Sequence, residues 1–368
     1  MKKLTIKEIA KIANVSPTAV SFVINNKKGV SNETREKVKE VIEMTNFKPN
    51  LNSKRLILKK SFNICIAINN TSSPFNDLFY LEIAKGLLEK SKEYGYNIIF
   101  TDISVSNGEV ILSETVKNND TDGIVFFQDT EEIILNKLDK LKIPYVIADA
   151  HSSDISTNKE KNNDNKDKSE QDELTDNIEQ DKTVKYINPT SVSADYYKAS
   201  MTAVKYLVDN GHKNIAYLSS SYIPNFYLRT FEGYKNVLEQ ASISIKPSWI
   251  EINAVDEQTA YECMERILRC NKKPTAVFCT TDMFAVAAVK CAKDHGYKVP
   301  EDISFCSIDD IILSNYIEPN LTTVRIDKFK IGSLAMELIA KKIDGLEPDS
   351  VVVKSDNLII RESVTKIN

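Results

Sequence analysis

Histidine occurs three times in 368 residues, tryptophan once and glycine ten times. No two of the six cysteines (Cys65, Cys263, Cys270, Cys279, Cys291 and Cys306) form a CxxC pair. So few ligands at such spacings argue against a zinc site, and the chain is too long to need a disulfide framework. The thiols read as reduced and buried in strands and helices. No apolar run approaches the ~20 residues that span a bilayer. The opening, Met1-Lys2-Lys3-Leu4-Thr5-Ile6-Lys7-Glu8, carries charge where a signal peptide has its apolar core, so a cytoplasmic protein with no membrane partner is expected. No GxxxxGK[ST] phosphate loop, no GxGxxG after a strand and no GxSxG elbow is present. No nucleophile stands with a paired acid–base group, so no catalytic residues, cofactor or metal are expected and the chain reads as a non-enzyme.

Aspartate is absent from residues 1–60, which hold 14 Lys and Arg against 5 Glu, a balance of +9. Of the 48 basic and 52 acidic residues in the chain, 34 and 47 are left for the rest, a balance of −13. A basic head on an acidic body is the charge footprint of a nucleic-acid-binding module joined to a soluble domain. The length suits two or three domains.

The head carries three helix starts. Thr5 followed by Glu8 is a capping box, opening a helix that turns Ile6, Ile9, Ala10 and Ala13 to one face. Asn14 can end it in the left-handed conformation. Ser16-Pro17 is a hydroxyl cap followed by proline at the first helical position, and that helix runs to about Asn25 with Val20, Val23 and Ile24 inward. Ser31 opens the third, with Val38, Val41 and Ile42 inward and an end before Pro49. Helix, tight turn and helix over 6–25 form a helix-turn-helix, whose second helix enters the DNA major groove by its N-terminal part. Burial of Val20 and Ile24 leaves Pro17, Thr18, Ser21 and Phe22 outward. Ser16 and Ser21 can bond phosphates, Thr18 a base edge, and Phe22 a thymine methyl.

From Phe62 apolar runs alternate with helical stretches: 63–68, 97–100, 123–127, 145–148, 215–218, 275–279 and 303–307. Such alternation implies α/β architecture, with parallel sheets covered on both faces. Two sets imply two doubly wound lobes, with a ligand cleft at the carboxyl ends of their strands.

LTIKEIAKIANVSPTAVSFVIN and VSNETREKVKEVIEMTNFKPN resemble the head of the lactose-repressor/galactose-repressor family almost position by position. The body carries further landmarks of that family in Asn210-Gly211-His212-Lys213-Asn214-Ile215, Val299-Pro300-Glu301-Asp302-Ile303-Ser304 and Pro319-Asn320-Leu321-Thr322-Thr323-Val324. The resemblance implies an all-α headpiece at 1–48, a hinge at 49–61, and a periplasmic-binding-protein-like core at 62–368 that holds the effector and the dimer contacts. It puts base-reading positions at Pro17, Thr18 and Phe22, the last of them often basic in the family. It counts Thr5, Asn25, Asn50, Ser53 and Arg55 among the DNA contacts and places a minor-groove wedge at Leu56. For the effector it implies Asp309, Asp282, Asp195 and Arg229. Phe75 is placed to stack on a ring. Arg229 stands four residues before Gly233, where the family spacing is three, and Ala194-Asp195 replaces an Asp-Asn pair. His212 reads as structural.

Residues 151–185 are foreign to the pattern, being rich in Asn, Asp, Lys, Glu and Ser without glycine or proline. They read as a disordered surface insertion. The implied function is a homodimeric regulator, more a repressor than an activator. It reads double-stranded operator DNA under control of a small-molecule effector, a sugar by family weight. A protein corepressor is the alternative. A solute-binding receptor and an enzyme with a DNA-binding head are the readings from other classes.

Overall fold

Backbone capping starts and stops the first three helices. The Thr5 hydroxyl accepts from the Glu8 N–H while Glu8 Oε2 takes the Thr5 N–H at 2.7 Å, opening α1 (Ile6–Ala13). Asn14 closes it at φ 53°. Ser16 Oγ accepts from the Ala19 N–H at 3.1 Å and Pro17 leads α2 (Pro17–Ile24). Ser31 caps α3 (Asn32–Thr45), which Asn46 ends at φ 46°. The three pack around Ile9, Ala10, Ala13, Val20, Val23, Val38, Val41 and Phe47. Ile6, Ile24 and Ile42, expected inside, lie at the edge of this core, partly buried.

This computed structural model describes residues 4–24, 27–47, 55, 58, 60–68, 75, 77–151 and 189–367. The chain divides into two units, Met1–Phe62 and Asn63–Asn368. Of the expected hinge, Arg55 is described, with helical backbone; Asn50, Ser53 and Leu56 lie outside the described residues, as does Asn25.

The second unit runs β1 (Asn63–Ile68), α4 (Leu78–Tyr94), β2 (Asn97–Ser106), β3 (Glu109–Leu112), α5 (Glu114–Lys117), β4 (Gly123–Phe127), α6 (Glu132–Leu141), β5 (Tyr145–Ala148) and β6 (Ser191–Ala194). It continues with α7 (Tyr196–Asp209), β7 (Ile215–Leu218), α8 (Pro224–Gln240), β8 (Ile250–Glu251), α9 (Glu257–Arg269), β9 (Ala276–Cys279), α10 (Asp282–Asp294), β10 (Ser304–Asp309), β11 (Thr322–Arg325), α11 (Lys328–Ile343), β12 (Val351–Val353) and β13 (Asn357–Ile359). One sheet has the order β12-β6-β5-β4-β1-β2-β3, the other β13-β11-β10-β9-β7-β8. Pairing is parallel except for β2 with β3 and β11 with β13. The chain therefore leaves the first sheet after β6, returns after β11 for β12, and crosses again to β13, so the lobes are joined by three crossovers.

Each sheet is buried on both faces, as parallel strands require. In β1, Ile64 and Ile66 face one core while Cys65 and Ala67 face another. In β7, Tyr217 faces the first of these and Ala216 and Leu218 a third. Helices α4 and α11 meet through glycines: a Cβ on Gly332 would stand 1.9 Å from the Ile83 carbonyl oxygen, and one on Gly86 2.0 Å from that of Phe329.

Two expectations are corrected. The run at 97–100 is the start of a ten-residue strand that turns back into β3, because alternation continues through Ile103 and Val105 on to Ser106. His151 is not part of a solvated insertion: it is buried, with its ring 5.2 Å from Tyr196 and 5.3 Å from Phe226. The rest of the segment read at 151–185 lies outside the described residues. Five of the cysteines are buried and Cys270 is partly exposed, all as free thiols. Burial pushes the Cys263 thiol up to about 11. His212 bridges Thr275 Oγ1 and the Thr365 carbonyl, each at 3.0 Å, and burial lowers its pKa, which is the structural role expected of it.

Candidate functional site

In the first unit the outer face of α2 is the candidate DNA surface. Pro17 and Thr18 are exposed, and Ser21 and Phe22 are half-buried. Ser16 uses its oxygen lone pair on the Ala19 N–H, which leaves its O–H to donate. Thr5 is tied into its capping box, Oγ1 lying 2.9 Å from Glu8 Oε2. The Phe22 ring leans on the loop before α3, where Gly29 has φ 110° and a Cβ would fall 3.3 Å from Phe22 Cε2. That loop is pinned from α3 by Arg35, whose Nη2 donates to the Lys27 carbonyl at 2.8 Å. Lys7, Lys11, Lys27 and Lys28 are exposed around this face, and they suit phosphate contact.

In the second unit the carboxyl ends of β4, β5, β7 and β10 open onto a cavity of about 1110 Å3 between the lobes. Its wall includes Tyr80, Asp149, His151, Tyr196, Phe226 and Asp309. Asp149 directly follows β5 at φ 61° and is 1% exposed. Its Oδ1 accepts from the Tyr196 hydroxyl at 2.6 Å, and His151 Nε2 lies 3.6 Å from Oδ2. Burial pushes the Asp149 carboxyl up to about 7, with the hydroxyls of Tyr196 and Tyr80 pulling the other way. Tyr196 packs edge-on against Phe226, centroids 4.8 Å apart, and Tyr80 stacks on Phe127 at 5.5 Å.

Asp309 ends β10 at φ 121°. Among the described residues its carboxylate accepts one long bond, from the Asp282 N–H to Oδ2 at 3.4 Å. Burial, then the charge of Asp282, holds its pKa well above the ordinary carboxylate range, and Lys328 opposes them. Lys328 is buried beneath the strand end and donates to the backbone carbonyls of Asp309, Asp310 (3.2 Å) and Ile326 (3.3 Å). Next to Asp309, Asp310 is held below the ordinary range by Arg361 and Arg325, each 2.6 Å away, which outweigh its burial.

The arrangement can seat a small molecule between two lobes joined by three crossovers. Among the described residues no group of His, Cys, Asp and Glu could hold a metal ion, and no helix is long and apolar enough to cross a membrane.

Residues 5–50 match the family described as bacterial regulatory proteins, lacI family, and residues 204–364 match the periplasmic binding protein-like domain. Catabolite control protein A of Priestia megaterium is 30% identical over 99% of this chain and 99% of its own length. The chain belongs to the lacI family of bacterial regulatory proteins. The HTH-type transcriptional repressor PurR of Histophilus somni is also 30% identical, over 98% of each chain. Among solved structures, the lac repressor dimer bound to operator and the anti-inducer ONPF aligns with TM-score 0.71 at 20% identity, over 99% of this chain and 100% of that one. The complex of the transcriptional regulator CelR with cellobiose aligns with TM-score 0.66 at 22% identity, over 98% of this chain and 100% of that one. At those identities the likeness to solved structures is one of fold.

Within this lacI-family body, the five residues expected at the effector are scattered. Asp309 lines the cavity; the other four are not in its wall. Asp282 lies beneath the floor, fully buried, with its carboxylate accepting from Thr323 Oγ1 at 2.6 Å, the Ile311 N–H at 2.9 Å and the hydroxyls of Ser307 and Ser314. It anchors the loop that follows Asp309. Asp195 caps α7, accepting from the Lys198 N–H at 2.9 Å. Arg229 lies on α8 with its side chain 18% exposed and pairs with Glu232 at 3.4 Å. Phe75 is 69% exposed, with its ring 4.9 Å from Phe100. Asp149, Tyr196, Phe226 and His151 were missed. Asp149 carried a usable signal, an acid immediately after an apolar strand. The aromatic residues carried none, because Tyr196 and Phe226 read as ordinary helix core.

Proposed function

We propose that this regulator is a cytoplasmic homodimeric repressor whose affinity for a pseudo-palindromic operator is set by a small molecule held between the lobes of its second unit. One observation supports this above others: a lacI-family head with the start of α2 exposed is joined to a body whose strand ends converge on a cleft. Thr18 reads a base edge, Ser16 and Ser21 hold phosphates, and Pro17 and Phe22 pack against the groove wall, the exposed part of Phe22 on a thymine methyl. Thr5, Asn25, Asn50, Ser53 and Arg55 add backbone contacts. Leu56 wedges into the minor groove between paired hinges. The ligand acts through its differing affinity for two lobe arrangements, which sets whether the hinges pair on DNA. The sugar named with the cellobiose-bound neighbour makes a saccharide the first class to try.

Selection of genomic fragments by the purified protein at near-physiological salt tests this reading. It expects a short pseudo-palindrome; recovery without any motif, with and without candidate ligands, would sink it. Leu56→Ala should weaken operator binding far more than binding to random duplex, because the wedge matters only in the kinked complex; equal losses would remove the hinge assignment. A protein corepressor is the second reading, favoured by the relative named for catabolite control. Pull-down with a phosphorylated carrier protein separates the two.

A further inference from the structure

The cavity wall has an unusual charge. Among the described residues of the wall, eight are Asp or Glu and none is Lys or Arg. Three of the acids come from different places in the fold: Asp77 caps the start of α4, Asp149 follows β5, and Asp309 ends β10 in the other lobe. They are near enough that the charges of Asp149 and Asp77 both act on Asp309, and that of Asp149 on Asp77. The nearby cation Lys328 is turned to backbone carbonyls beneath the floor and is not in the wall.

A second, independent feature lies in Asp309 itself. It is 6% exposed, yet among the described residues Oδ1 accepts no hydrogen bond, and Oδ2 has only the 3.4 Å bond from the Asp282 N–H. A buried carboxylate is normally satisfied. Asp309 lines the cavity, so a molecule bound there can supply a donor to Oδ1. Beside it, the Tyr196–Phe226 pair, with His151 across it, forms an aromatic corner next to the second buried carboxylate, Asp149.

We propose that the cleft takes a ligand bearing a protonated amine, of monosaccharide to disaccharide size, with its ammonium between the Asp309 and Asp149 carboxylates and the Tyr196–Phe226 corner. This rests on the cleft being the effector site and goes beyond that reading in naming the ligand's charge. Closing the lobes over a neutral polyol would leave the Asp309 and Asp149 carboxyls to take up a proton or to carry charge with no cation from the described wall beside them, and the charged form is costly in a low-dielectric site. An ammonium brings the charge and three donors together, and aromatic faces attract it.

The test uses the full-length protein and matched probes: glucosamine, galactosamine and mannosamine against glucose, galactose and mannose, with short linear diamines as amines lacking a ring. Thermal shift and calorimetry at neutral pH should show binding by amines and not by their neutral parents. Asp309→Asn should weaken amine binding by roughly tenfold or more. The same variant should melt higher than the parent protein without ligand, because it removes an unsatisfied, repelled charge. The proposal fails if neutral sugars bind as tightly as their amines, if no amine in the set binds, or if ligand-free Asp309→Asn melts lower. Two results separate this failure from failure of the effector-site reading. If neutral sugars release operator DNA and Asp309→Asn abolishes the release, the cleft reading stands and the charge assignment falls. If amines bind undiminished in both Asp309→Asn and Tyr196→Phe, the cleft reading falls with it.

Discussion

In the first unit each helix begins through a contact spanning three residues: Thr5 with Glu8, Ser16 with Ala19, Ser31 with Thr34. In the second unit the cavity joins Asp149, Tyr196, Phe226 and Asp309, which are dozens of residues apart and come from two sheets and two helices. The head is thus written in local chemistry, and its working face follows once the helix phase is known. The body's site exists only where strand ends from two lobes are brought together. The energetics differ too. The head's core is a handful of small side chains plus Phe47, whereas the body layers helices on both faces of two sheets. A small core has little stability to lose.

Four substitutions sharpen that contrast. The largest effect is expected from Asp282→Ala, which leaves the Ile311 N–H and the hydroxyls of Ser307, Ser314 and Thr323 without their shared acceptor. The body should lose about 3 kcal/mol in denaturant unfolding, while amide protection in the head stays unchanged. Loss of protection in both units would mean that they do not unfold separately. Val20→Ala removes two methyls from the head's core and should cost about 2 kcal/mol there. Although smaller, that loss should abolish operator binding while the body's melting temperature is kept.

The third effect is one of pH. The Asp149 carboxyl is raised to about 7, so the folded body holds a proton that the unfolded chain releases near pH ~4. Its favourable contribution is complete below the unfolded value and is lost as pH rises through the folded one. Compared with the parent protein, Asp149→Asn should therefore gain in melting temperature between pH ~4 and the neutral range, and the head should show no such trend. A flat difference across that window would place the elevated group elsewhere. The smallest effect is expected for Thr5→Ala, which opens the capping box and should cost the head about 1 kcal/mol, read as faster amide exchange in α1.

What could be read in advance follows the same division. Thr5, Asn14, Ser16-Pro17 and Ser31 marked three helices whose bounds the structure reproduces closely, because a cap is chosen by neighbours within one turn. The strands at 63–68, 123–127, 145–148 and 215–218 were visible as apolar runs, because both of their faces are buried. The short strands β6, β8, β12 and β13 were not, since Ser191-Val192-Ser193-Ala194 and its like become strands only by docking at a sheet edge or between neighbours. Of the acids expected at the ligand, Asp282 turned inward because three hydroxyls on separate elements converge on it. Asp195 was taken by its own helix start. His151 looked like the beginning of a polar tract and proved to be a buried ring, because Tyr196 and Phe226 are waiting for it from elsewhere in the chain.

The order of residues by itself determined that this protein has a basic three-helix head and a two-lobed α/β body. Caps, charge balance and apolar period act over a few residues and need no partner to be read. Only the tertiary structure decided which side chains face the cleft, and that among the described residues Asp309 Oδ1 has no donor there and the carboxylates gather without Lys or Arg. These are consequences of where two sheets place the ends of their strands, and no spacing along the chain encodes that distance.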